Sequence, residues 1–77
     1  MDATAARALV ESNKATATAE LVSLLDKAIS DRAAKGWNRV CAHDIVKDYS
    51  APIITDAYAS FRNNGYTINV MTHTINW

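Results

Sequence analysis

The sequence predicts an α+β domain. A long N-terminal helix, a short strand, a second helix and a C-terminal β-hairpin or bulged strand form a small antiparallel sheet. Three observations predict it. Residues 3–35 hold no Gly and no Pro, and Leu21, Leu24, Leu25, Ala28 and Ile29 recur at three- and four-residue steps. Gly36 and Gly65 each stand just past a helical run, where a left-handed residue closes a helix. Tyr66, Ile68 and Val70 then alternate with Thr67, Asn69 and Met71, as a half-buried strand requires.

The first element is firmest from Glu20 to Lys35, where the apolar stripe is regular and Arg32 and Lys35 sit near the negative end of the helix dipole. Its beginning reads less evenly. Ser12, Asn13, Thr16 and Thr18 are poor interior helix residues and good N-caps, so a helix over 3–12 is expected, followed near 13–18 by a break or a strained continuation. The apolar content there is Leu9 and Val10 plus alanines. Residues 1–18 are therefore expected to be a helical docking arm whose Leu9 and Val10 enter a neighbour, and 19–77 a compact α+β domain.

After Gly36 the run Trp37 to Ala42 contains an aromatic and a β-branched residue and alternates weakly, which predicts a short strand over 37–42. A helical turn can start near Asp44. Ser50 can cap the second helix, which tolerates Pro52 in its first turn and carries Ile53, Ile54, Ala57, Tyr58 and Phe61 on one face. Asn64 and Gly65 end it, and Tyr66 packs back on its last turn. Trp37, Tyr66 and Trp77 are expected to close the core, with Ile75 beneath the helices.

The tail raises a question of phase, because Ile75 and Trp77 fall on the wrong face if the strand runs straight on. A two-residue loop at Thr72 and His73 would set Val70 opposite Ile75 and Ile68 opposite Trp77, gathering the apolar residues on one face. A β-bulge between Met71 and Thr74 would do the same. The echo of Thr67-Ile68-Asn69 in Thr74-Ile75-Asn76 reads as coincidence, since repeat architectures have longer periods and more copies.

Size and charge narrow the function classes. A chain of 77 residues buries only about 60% of the surface its unfolded form exposes, so a partner or self-association would help it. It carries 8 Lys plus Arg against 8 Asp plus Glu, interspersed, which leaves no net field to attract nucleic acid or an anionic membrane. The single Cys41 permits no intrachain disulfide and suits a reducing compartment. No stretch reads as a secretory or membrane-spanning segment, so a soluble protein with no membrane partner is expected.

No residue set announces a chemistry. Cys41, His43 and Asp44 form a C-x-H-D cluster, but a structural zinc needs four ligands and only His73 remains as a typical donor; Cys41 is read as a small hydrophobe in the strand. Asp26, Asp31, Asp44, Asp48 and Asp56 could pair for acid–base work, yet most fall on expected solvent faces. Both glycines are taken up by helix ends, leaving no phosphate loop. The expectation is no catalytic residue, no metal, no cofactor and no small-molecule substrate.

The order helix, strand, short helix, helix, hairpin also matches the outline of a winged helix-turn-helix. A DNA-reading helix should aim Arg, Lys, Asn or Gln at bases and phosphates. The outward face of 51–64 offers Thr55, Asp56, Ser60, Asn63 and one basic residue, Arg62, and the wing has no Lys or Arg. Nucleic acid is thus not the expected partner.

Residues Ala33-Ala34-Lys35-Gly36, Val40, Asn64-Gly65-Tyr66, Ile68, Val70 and Ile75-Asn76-Trp77 carry a resemblance. The chain from about Leu21 onward resembles a recurrent class of small uncharacterised tailed-bacteriophage proteins. In these a helix ends in Lys-Gly, a strand follows, a second helix ends at Gly-Tyr, and an alternating strand finishes in Ile-Ser-Trp. Asn76 stands where serine is usual, and the N-terminal extension lies outside the pattern. The resemblance implies a non-catalytic structural or accessory protein that acts through contacts with other phage proteins or with itself. A small virion component is the leading expectation, located in the virion or the host cytoplasm. The alternatives are a winged-helix-like DNA-binding regulator and a phage inhibitor of a host enzyme.

Overall fold

A computed structural model describes residues 2–77 and has the expected α+β architecture. In chain order the elements are α1 (Ala3–Ala34), β1 (Arg39–Cys41), α2 (His43–Val46), α3 (Ala51–Asn63), β2 (Thr67–Asn69) and β3 (Thr74–Asn76). The strands form one antiparallel sheet in the order β1-β3-β2, so the last strand of the chain is the central one.

Helix α1 is continuous, and no break occurs at 13–18. Asp2 caps its start, accepting a hydrogen bond from the Ala5 N–H at 2.8 Å. The polar residues expected to interrupt the helix are accommodated instead. Ser12 and Asn13 donate to the Leu9 carbonyl, and Thr18 donates to that of Lys14, so their side chains bond back to the preceding turn without displacing its backbone.

Both long helices end in one and the same way. Past α1, the Gly36 N–H bonds to the Ala33 carbonyl and the Trp37 N–H to that of Arg32; past α3, Gly65 and Tyr66 bond to Arg62 and Phe61. These are two Schellman closures. Each needs a left-handed residue, and Gly36 and Gly65 have φ of +84° and +95°. The residue after each glycine folds back over the helix. Tyr66 meets Phe61 edge to face at 5.4 Å, and the Arg32 guanidinium lies 5.3 Å from the centre of the Trp37 ring. A methyl group at Gly36 would meet no neighbouring atom within 4 Å, so Gly36→Ala adds only the cost of a left-handed alanine. The expected loss is about 1 kcal/mol, measured by urea denaturation, with secondary structure unchanged.

The core joins all the elements. Leu21, Leu25 and Ile29 of α1 meet Ile53, Ala57, Tyr58 and Phe61 of α3, and the sheet adds Val40, Ile68 and Ile75. Ala42 and Val46 close the side beneath α2. The α3 helix begins at Ser50 as expected, with Pro52 in its first turn, although the Ser50 side chain makes no capping bond.

Two expectations about the core are corrected. Trp37 does not close it: the ring is 48% exposed on the α1 terminus. Trp77, just past the end of the central strand, is 38% exposed and meets Tyr66 edge to face at 6.2 Å. Tyr66 itself is half-buried against the core. For Trp37 the cause lies in the parity of β1. Trp37, Arg39 and Cys41 share one face and Val40 and Ala42 the other, and Ile75 pairs with Val40, so the second face is the inner one. Cys41 is accordingly exposed and is not a packed hydrophobe.

The tail forms a hairpin, with a longer turn than the two residues expected. Ile68 pairs with Ile75, Thr67 with Asn76 and Asn69 with Thr74, which leaves residues 70–73 in the turn. The Met71 N–H bonds to the Asn69 side chain, and His73 takes a left-handed φ of 54°. Relative to the expected pairing the register moves by two, and a shift of two keeps each side chain on its face. Ile75 therefore stays inside while Val70 leaves the sheet and is 52% exposed. The two copies of Thr-Ile-Asn are the paired strands, isoleucine against isoleucine.

Candidate functional site

The molecule measures 48 × 22 × 21 Å. A helix of 32 residues is itself about 48 Å long at 1.5 Å per residue. The long dimension of the protein is therefore α1, whose first turns project from the body as an arm.

On that arm Leu9 is 51% and Val10 63% exposed. Contact with the body starts further along the helix. Lys14 and Asp56 of α3 form an ion pair at 3.9 Å, Ala17 packs on the core, and the Tyr49 hydroxyl donates to the Glu20 carboxylate at 2.8 Å. Accepting that bond from the neutral phenol, Glu20 holds the Tyr49 pKa above its ordinary value, with burial and the charges of Glu20 and Asp48 acting in the same sense.

Where arm and body diverge they leave an open notch of about 310 Å³. Val10, Asn13, Lys14 and Ala17 form one wall, and Asp48, Tyr49, Ser50 and Ile53 the other. At 3.6 residues per turn, Ala3, Ala6 and Val10 continue the line of Ala17 and Leu21. The same stripe that is buried in the second half of α1 thus emerges uncovered in the first half. Sequence periodicity shows the stripe, but only the position of α3 shows where its cover ends.

A second group of polar side chains gathers at the hairpin turn. The Tyr58 hydroxyl and His73 Nδ1 share a hydrogen bond at 2.9 Å, and the His43 and His73 ring centres are 5.9 Å apart. Burial pushes the Tyr58 phenol above its ordinary pKa, with the nearby Cys41 adding to the effect and Arg62 opposing it. His43 approaches Asp44 at 3.6 Å on the exposed side, and Cys41 Sγ points to the Thr72 carbonyl at 3.6 Å. The cluster read from sequence is thus divided between a strand edge and a short helix. Among the described residues no group of three or more His, Cys, Asp or Glu side chains could hold a metal ion. The Tyr58–His73 bond carried no sequence signal, because it depends on the turn that returns His73 to α3.

Among the described residues no helix is long and apolar enough to cross a membrane. Comparison with known proteins finds no family model, curated protein or solved structure that matches the chain.

Proposed function

We propose that this is a non-catalytic bacteriophage structural or accessory protein that works through protein–protein contacts, as a small component of the virion. The observation that carries the reading is the arm: an apolar stripe leaves the core at Ala17 and continues uncovered through Val10. A helix of this length without tertiary cover is marginal in water, and its Thr, Ser and Asn residues weaken it further. A neighbour seated on Leu9 and Val10 would cover the stripe. The phage origin is supported by the resemblance of residues from about Leu21 to Trp77, above all Lys35-Gly36, Gly65-Tyr66 and Ile75-Asn76-Trp77. In this reading residues 1–18 are the docking segment, the partners are other phage proteins or further copies of the chain, and the protein is found in the virion or the host cytoplasm. Mass spectrometry of purified particles tests it. Peptides of the chain are expected in stoichiometric amount, with the arm protected from protease in the particle and cleaved in the free protein; absence from particles would exclude a virion component.

A second reading, a DNA-binding regulator, is favoured by the winged helix-turn-helix order of the elements. Against it stand the surfaces that would meet DNA. The solvent side of α3 shows Thr55, Asp56, Ser60 and Asn63 beside Arg62, and the wing shows Val70, Met71 and Thr72. With so few cations to displace phosphate counterions, affinity would be low. A salt-sensitive mobility shift of duplex DNA by the isolated protein would establish this reading in place of the first.

A further inference from the structure

The arm's exposed side chains carry charge in a fixed order: Asp2, Arg7, Glu11 and Lys14, negative, positive, negative, positive. Read backwards the order is inverted. Two such helices laid antiparallel can set Arg7 of each against Glu11 of the other. About a two-fold axis crossing the arm near residues 8–9, Arg7 meets Glu11 of the second copy and Glu11 meets its Arg7. A two-fold interface demands this kind of reciprocity.

We propose that the partner covering the Val10 face is the arm of a second copy, paired antiparallel. The inference rests on the reading of the chain as a protein that acts by contact, and it names the partner. Arg7, Glu11 and Lys14 all lie on one flank of the Ala3, Ala6 and Val10 stripe at 3.6 residues per turn. In a two-fold antiparallel pair each flank meets the same flank of the other helix, so stripe meets stripe and the charged flanks meet each other.

The notch supplies the remaining surface. The antiparallel register lays the first two turns of the second arm over residues 10–14, so its Ala3 and Ala6 enter the space between Val10 and the body wall at Tyr49, Ser50 and Ile53. Alanine there lets the helix axes approach to about 8 Å, the near end of the usual range. Two short arms alone fall below the roughly 800 Å² per partner of a standard interface. Arm plus notch comes nearer to it, and the expected dimer is reversible with a micromolar dissociation constant.

Sedimentation equilibrium of the full chain at low ionic strength, from micromolar to millimolar concentration, tests the proposal. The wild type is expected to dimerise, more weakly as salt rises. R7E and E11R, both on the exposed arm, should each weaken the dimer about fivefold or more, with thermal unfolding of the body unchanged. An equal mixture of R7E and E11R should recover association as a heterodimer. Each variant carries like charges at positions 7 and 11 of its own helix, so recovery on mixing can come only from contacts between chains. A wild type that stays monomeric at millimolar concentration, a mixture no stronger than its components, or a dimer insensitive to Val10→Asp would overturn the proposal. A monomeric chain still found stoichiometrically in particles would defeat the second copy and keep the contact reading; a dimer absent from particles would do the reverse.

Discussion

Ile75→Ala is expected to destabilise the domain by about 2–5 kcal/mol, the largest effect of any conservative truncation in the sheet. The residue has no exposed surface. It lies at the centre of the central strand and pairs with Val40 on one side and Ile68 on the other, beneath the helices. Truncation removes buried methyl groups and leaves a cavity that two fixed strand neighbours cannot fill by moving inward. A chain of 77 residues has a total stability of about 4–12 kcal/mol at 0.05–0.15 kcal/mol per residue, so the loss is a large part of the whole. Urea denaturation followed by tryptophan fluorescence measures it. Met71→Ala, at a side chain 88% exposed in the turn, serves as the control and should change stability by less than about 0.5 kcal/mol. Equal costs at the two positions would place Ile75 outside the core and reverse the assignment of faces.

The same strand shows how far the sequence could be read. That Ile68 and Ile75 share a face followed from strand periodicity once a reversal or bulge between Met71 and Thr74 is placed, and the hairpin satisfies it. The turn length did not follow, because a register shifted by two satisfies the same pattern, and the choice rests on backbone geometry at residues 70–73. Val70 marks the difference. Paired with Ile75 it would be in the core; in the longer turn it is half exposed and lines a cleft with Ile54, Tyr58 and His73.

Helix ends were the most legible features, since Gly36 and Gly65 are the only residues nearby that take φ near +90° without strain. The faces of β1 were not legible. Trp37 with Cys41 and Val40 with Ala42 are comparably apolar, and only pairing with Ile75 decides between them. A break or a strained continuation at 13–18 was expected because Ser, Asn and Thr prefer caps. In α1 they satisfy that preference against the preceding turn while the anchored half of the helix propagates through them. Of the candidate site, Leu9 and Val10 could be picked out as apolar residues without an evident partner. The notch beside them could not, because its second wall, Asp48 to Ile53, comes from a distant part of the chain.

Tyr58→Ala should cost about 3–5 kcal/mol and Tyr58→Phe about 1 kcal/mol, and the difference separates two roles of one side chain. The ring is 1% exposed and is the largest fully buried side chain, filling the space where α3 faces the sheet; the alanine variant loses that packing. The hydroxyl reaches His73 Nδ1 at 2.9 Å and ties the hairpin turn to the helix; the phenylalanine variant keeps the packing and loses the tie, leaving the half-buried imidazole nitrogen without its partner. The hydroxyl also gives stability a dependence on pH. Burial raises the Tyr58 pKa in the folded chain, so above the unfolded value of about 10 the folded state holds a proton that the unfolded state has lost. The contribution is complete below that pH and declines as pH rises through the folded pKa. Tyr49, raised through its bond to Glu20, adds to the same decline. Unfolding free energies measured across the alkaline range should therefore fall less steeply in Tyr58→Phe than in the wild type, and less steeply again when Tyr49→Phe is added. An unchanged slope in both variants would mean that neither phenol is held in its folded environment.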